Sequence, residues 1–138
     1  MGAGGSDHRG TAVVVEDDVD IRELLRIILR QCRFDVVATG DGVDGIEAVR
    51  THDPALVTLD VSMPGLDGFA VTEALREFSD AYVILLSGRT DEESLERGRR
   101  AGADDYVVKP FRPAELRARI EAAADAGYPH ATADPDQA

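Results

Sequence analysis

Glu16 and Asp17 stand side by side, Asp60 follows the apolar run Ala55-Leu56-Val57-Thr58-Leu59, Ser87 precedes a glycine, and Lys109 precedes a proline. A carboxylate nucleophile flanked by further carboxylates, a hydroxyl and an ammonium is the equipment for in-line phosphoryl transfer to a carboxylate. Three carboxylates held about 4 Å apart repel by roughly 1 to 4 kcal/mol per pair, depending on the effective dielectric. A hard divalent cation relieves that repulsion, and oxygen donors in a small site open to water select Mg²⁺ over Ca²⁺ or a nitrogen-seeking metal. His8, His52 and His130 lie away from all these positions. In this scheme Asp60 attacks phosphorus, the cation and Lys109 neutralise charge on the transferred group, and the Ser87 hydroxyl binds one of its oxygens.

Each residue alone has a plainer reading. A carboxylate after a strand is usually a helix cap or a solvated turn residue, a serine before glycine a turn, a lysine before proline an exposed side chain. Lys109 carries a further signal, because every other basic side chain, from Arg9 to Arg119, is arginine. A chain that uses arginine wherever any cation serves marks its one lysine as a place for a compact ammonium.

The elements that would bring these residues together are short β-branched runs alternating with helical periods. Strands are expected at 11–15 (β1), 34–38 (β2), 55–59 (β3), 81–86 (β4) and 105–108 (β5). Helices are expected at 19–31 (α1), 42–51 (α2), 67–78 (α3), 92–101 (α4) and 113–124 (α5), the last opened by Pro113. In α1, Ile21, Leu24, Leu25, Ile28 and Cys32 form one stripe and Arg22, Arg26 and Arg30 another. Five βα units with continuously apolar strands imply a doubly wound parallel sheet with helices on both faces. Sites in such α/β folds form beyond the carboxyl ends of the strands. Four of the five strand ends deliver Glu16-Asp17-Asp18, Asp60, Ser87 and Lys109 to that rim; Thr39-Gly40-Asp41 at the second reads as a turn into a helix cap.

With 138 residues the chain suits one domain, since a chain of this size buries roughly two thirds of its unfolded surface. A folded unit is expected over 11–125, with a flexible leader at 1–10 and a tail or linker start at 126–138. The leader also matches a myristoylation pattern at Gly2 and Ser6. A net charge of −12 disfavours direct nucleic-acid binding. A single cysteine, Cys32, excludes an internal disulfide and fits a reducing, cytoplasmic setting. No stretch is apolar enough to span a membrane as a helix.

The segments VVVEDD, LVTLDVSMPGLDG, ILLSGRT and GADDYVVKPF, in that order and spacing, are similar to the receiver domain of bacterial two-component response regulators. The resemblance runs from about Thr11 to Ala124. It implies a flavodoxin-like (βα)5 fold of strand order 2-1-3-4-5 and a signalling switch rather than an enzyme acting on an outside substrate. It also implies that Glu16 and Asp17 hold Mg²⁺ with Asp60 and the Ser62 backbone carbonyl, while Asp18 stands beside the metal without ligating it. Asp60 would accept a phosphoryl group from a sensor histidine kinase or a phosphotransfer domain, Lys109 would pair with it, and Lys109-Pro110 would be cis. Ser87 and Tyr106 would form the switch, shifting the α4–β5–α5 surface, while Ser62 and Arg89 would influence how fast the phosphoryl group is lost.

Residues 102–120 further resemble the subclass that pairs α4–β5–α5 faces into homodimers and carries a winged-helix DNA-binding domain. Asp105, Glu115 and Arg119 match ion-pair positions of that face. Arg99 stands where the subclass buries an apolar side chain and Leu95 where it places a basic one. Arg97, Arg99 and Arg100 also fit a solvated helix face. The arginine stripe of α1 reads either as solvated or as the edge that meets the kinase. Two enzyme-like alternatives fail on sequence. A haloacid-dehalogenase phosphatase needs a second aspartate two residues after Asp60, where Ser62 stands. An FMN carrier needs Gly, Ser or Thr donors where Glu16-Asp17-Asp18 stand. An interaction module that works without phosphorylation would have no need of clustered carboxylates.

Overall fold

The computed structural model describes residues 8–129. Five strands, β1 (Thr11–Val15), β2 (Asp35–Thr39), β3 (Leu56–Asp60), β4 (Tyr82–Ser87) and β5 (Asp105–Val108), alternate with five helices. The helices are α1 (Val19–Gln31), α2 (Gly42–His52), α3 (Gly68–Leu75), α4 (Glu92–Ala101) and α5 (Pro113–Asp125). All four strand pairings are parallel and the order is β2-β1-β3-β4-β5, the doubly wound, flavodoxin-like arrangement expected.

Side-chain alternation along the strands splits the core in two. Ala12, Val14, Leu56, Ile84 and Leu86 meet Leu25, Ile28 and Leu29 of α1 and Leu116 and Ile120 of α5. Val13, Val15, Val57, Leu59, Val83 and Leu85 face α2 and α3 through Val49, Phe69, Val71 and Leu75, and Leu85 lies against Gly98 of α4. The strands are apolar on both sides because both sides are covered.

Aspartates begin four helices: the side chains of Asp18, Asp41, Asp67 and Asp91 accept the N–H of Ile21, Asp44, Ala70 and Ser94. These acids satisfy donors that the first helical turn leaves orphaned. α5 begins instead with Pro113 after Arg112 and has no side-chain cap.

Three strands start and end one residue later than their apolar runs suggest, so Asp60 and Ser87 close β3 and β4 as strand residues. α3 stops at Leu75, short of the expected 78. Arg76 there turns its side chain onto the Gly102, Ser79 and Ala81 carbonyls and the Asp104 carboxylate, and the chain leaves the helix around it. Ordered contacts also continue past both ends of the 11–125 unit. Arg9 bonds the Arg33 carbonyl, Gly10 accepts from Asp35, and Tyr128 packs against the α1/α5 side of the core. The myristoylation pattern lies outside the described residues.

Candidate functional site

The carboxyl ends of β1, β3, β4 and β5 form one rim. Asp60 ends a strand whose five residues are all buried, so its backbone is fixed by the sheet while its carboxylate, 4% exposed, meets the cleft. Glu16, directly after β1, has no exposed surface. Asp17 is the exposed member, and ligand atoms of Glu16, Asp17 and Asp60 lie within 4.8 Å of one another. Lys109 joins the two buried acids: its Nζ is 3.1 Å from Glu16 Oε1 and 3.0 Å from Asp60 Oδ1.

Backbone bonds hold Lys109 at this place. Its N–H donates to the Ser87 carbonyl at 2.8 Å, and the bond to Pro110 is cis, as expected. Val61 N–H donates to the Leu86 carbonyl, tying the residue after Asp60 to β4. Gly68, the first residue of α3, is required by close approach: a Cβ there would sit 2.6 Å from the Asp60 carbonyl oxygen.

The charges are unbalanced. Burial, then the neighbouring Asp60, pushes the Glu16 carboxyl up to about 7 despite its bond to Lys109. Burial raises Asp60 as well, and Lys109 pulls it back. Burial disfavours the Lys109 ammonium, but its two carboxylate partners prevail and hold its pKa above the ordinary value. Three acids against one ammonium leave negative charge that a divalent cation would neutralise, and the donors are all oxygen, so the residues present fit Mg²⁺.

The other expected site residues lie around this cluster. Ser87 is buried at the end of β4, one residue beyond the Leu86 that pairs in register with Asp60, and its Oγ accepts the Arg89 N–H at 3.0 Å. Ser62 is exposed in the next loop, its N–H 3.4 Å from Asp60 Oδ1. Tyr106 lies beneath α4, where a Cβ on Gly98 would fall 3.3 Å from its ring, and its buried hydroxyl has no partner. Asp18 caps α1.

On α4, Arg99 pairs with Glu96 and Arg97 lies over the Phe69 ring at 4.5 Å, with Asp67 at 3.8 Å. Arg97, Arg99 and Arg100 are all exposed, the solvated-face reading. Asp105 and Arg119 pair with each other inside the chain at 2.9 Å. Two contributors escaped the sequence reading. Gly68 closes the segment LVTLDVSMPGLDG without any mark of its own, and Arg22, on the arginine stripe of α1, donates to the Glu16 carbonyl. No local signal marks the second.

A family model described as the response regulator receiver domain matches residues 12–121. Over 114 residues the chain is 42% identical to the DNA-binding response regulator MtrA of Mycobacterium tuberculosis, covering 83% of this chain and 50% of that protein. It is 47% identical over 108 residues to the transcriptional regulatory protein CseB of Streptomyces avermitilis, covering 78% of this chain and 46% of that protein. The BeF3-activated N-terminal receiver domain of Klebsiella pneumoniae RstA matches with a TM-score of 0.76 at 31% identity, over 83% of this chain and 97% of that chain. The chain thus spans about half the length of the curated relatives it matches.

Proposed function

The chain belongs to the response regulator receiver domain family, and on that premise we propose that it is a phosphorylation-controlled switch whose acceptor is Asp60. The observation that carries this reading is the Lys109 ammonium, bonded at once to the buried carboxylates of Glu16 and Asp60. A cluster that costs stability through its own repulsion is expected where charge has to be received.

In the proposed reaction an Asp60 carboxylate oxygen forms a bond to phosphorus as the N–P bond of a kinase phosphohistidine breaks. The imidazole leaves with the electron pair and an aspartyl phosphate remains. Lys109 pairs with the new anion and the Ser87 hydroxyl donates to one of its oxygens. Mg²⁺ held by Glu16, Asp17, Asp60 and the Ser62 carbonyl would neutralise charge on the phosphoryl oxygens. Ser62 and Arg89, beside the nucleophile and the hydroxyl, set the lifetime of the product.

The switch needs two states that phosphorylation distinguishes. Tyr106 supplies a candidate, because its buried hydroxyl lacks a partner, a penalty of about 1 to 3 kcal/mol. That cost keeps an alternative close in energy in which the hydroxyl reaches water. Movement of Ser87 toward the phosphoryl group biases the pair and alters the α4–β5–α5 surface.

By the names of its relatives, the output that this switch would serve is transcriptional control through a DNA-binding domain. The exposed Val19 and Ile27 and the α1 arginines are the edge offered to a cytoplasmic histidine kinase. Pairing of two copies through α4–β5–α5 requires Asp105 and Arg119 to exchange their present bond for one across the interface. Light scattering with and without a phosphoryl mimic tests this, and a monomer in both states at high concentration rejects it.

The deciding experiment is intact mass after incubation with a small-molecule phosphodonor, with Mg²⁺ or chelator, on the wild type and Asp60→Asn. One phosphoryl group gained only with both Mg²⁺ and Asp60 is the expected result. No gain in a folded protein overturns the proposal and leaves a binding module that works without phosphorylation.

A further inference from the structure

Arg22 lies on α1, yet its guanidinium turns back to the rim, where Nη1 donates to the Glu16 carbonyl oxygen at 3.0 Å. That carbonyl belongs to the peptide joining Glu16 to Asp17, so fixing it fixes the direction in which both carboxylates leave the backbone. The ladder between β1 and β2 ends at Val15 and Thr39, with one bond more from the Glu16 N–H to the Thr39 carbonyl at 3.0 Å. Beyond that point the second strand turns into α2 at its cap Asp41, and Arg22 supplies a donor on the carbonyl side.

The seat of the guanidinium is made by Gly40. A Cβ at Gly40 would lie 2.9 Å from Arg22 Nη1 and meet no other group as closely. The same turn is tightened by the Asp18 N–H on Glu16 Oε2 at 3.2 Å and the Arg22 N–H on the Asp18 carbonyl at 2.8 Å. Glu16 is also held by the surrounding core, but Asp17 is exposed and depends on its backbone for position.

We propose that Arg22 is a positioning residue for the Glu16–Asp17 pair, its guanidinium seated over Gly40 and holding the peptide from which both carboxylates are presented. The inference rests on the reading of that pair as Mg²⁺ ligands. Groups that orient metal ligands from behind affect metal affinity without touching the ion. Gly40 is then needed for the room it leaves to Arg22.

The test is calorimetric titration of Mg²⁺ into the wild-type chain, Arg22→Gln, Gly40→Ala and the double variant. Gly40→Ala keeps the charge and crowds Nη1, and its backbone lies outside the left-handed region, so alanine fits the chain there. Each single variant is expected to weaken Mg²⁺ binding about tenfold. The double variant is expected to be no weaker than the weaker single one, because both remove the same bond.

A purely electrostatic Arg22 gives the opposite pattern: tighter Mg²⁺ binding in Arg22→Gln and no change in Gly40→Ala. Either result overturns the proposal, as do additive losses in the double variant. Amide spectra of the metal-free protein provide a second readout, in which both single variants shift the Asp17 and Asp18 signals alike; unchanged signals overturn the inference. A wild type that binds no Mg²⁺ removes the metal reading itself, and the amide comparison still decides whether Arg22 holds the turn.

Discussion

Lys109 Nζ stands 3.0 Å from Asp60 Oδ1, and the same ammonium reaches Glu16 Oε1 at 3.1 Å. Burial, then the neighbouring Asp60, holds the Glu16 proton up to about 7 against an ordinary value of 4.5, and the shared ammonium offsets this only in part. Folded protein therefore carries more protons than unfolded protein across that interval, and stability from this group falls as pH rises through it. The raised Asp60 acts in the same direction, whereas Lys109 titrates above the range concerned. The expected result is a metal-free melting temperature that declines from about pH 5 to pH 7.5, with the decline reduced in Glu16→Gln. Added Mg²⁺, which competes with protons for the same oxygens, should raise the melting temperature more at pH 8 than at pH 5.5. An equal rise at both values contradicts the assignment.

Arg76 and Asp104 bind three elements together away from the rim. The guanidinium bonds a carboxylate with no exposed surface at 2.8 Å, and its other nitrogens cover the Gly102, Ser79 and Ala81 carbonyls. Asp104 also accepts the Val83 N–H at 2.9 Å at the start of β4. Removing one partner of such a pair strands charge in the interior, so Arg76→Ala should cost about 3 kcal/mol in urea unfolding. A loss under about 1 kcal/mol would place this pair with ordinary surface ion pairs.

The contrast between those two clusters explains what the sequence disclosed. β-Branched runs and strand-end acids are local signals, and they were enough for the five βα units, the parallel sheet and the gathering of Glu16, Asp17, Asp60 and Lys109. Arg76–Asp104 joins residues 28 apart through a side chain that looks like any helix-surface arginine. Arg22 gave no sign for the same reason, since a period of four places it on a polar stripe and says nothing of where a long side chain bends. Gly68 could have been singled out by the acid-glycine pair that opens α3, but the need for it comes from the proximity of the Asp60 backbone. The one-residue shifts of β3 and β4 follow from hydrogen bonding continuing beyond the apolar run.

Thr58 points into the α1/α5 side of the core two residues before Asp60, and its buried Oγ1 has no hydrogen-bond partner. Valine has nearly the same shape without the hydroxyl, so Thr58→Val removes a desolvation penalty and leaves the packing in place. Its unfolding free energy should rise by about 1 kcal/mol or more. Phosphorylation of Asp60 should proceed as in the wild type. A loss of stability would mean that the hydroxyl has a buried water for partner.

Tyr128 lies three residues past the end of α5, in a segment whose composition reads as a tail. Its N–H donates to the Ala123 carbonyl at 2.7 Å, and its ring stands 5.8 Å from that of Tyr82 at the base of the sheet. The backbone there takes a φ of 57°, uncommon for a bulky residue, so the packing of the ring must offset that strain. Tyr128→Ala, or a chain ending at residue 125, should lose about 2 kcal/mol of stability, below the cost of a fully buried aromatic because the residue is only half covered. Tyr128→Phe separates packing from polarity: its hydroxyl is buried without a partner, so phenylalanine should match or exceed the wild type. Equal stability of the alanine variant and the wild type would show that the ring adds nothing and that the folded unit closes at α5.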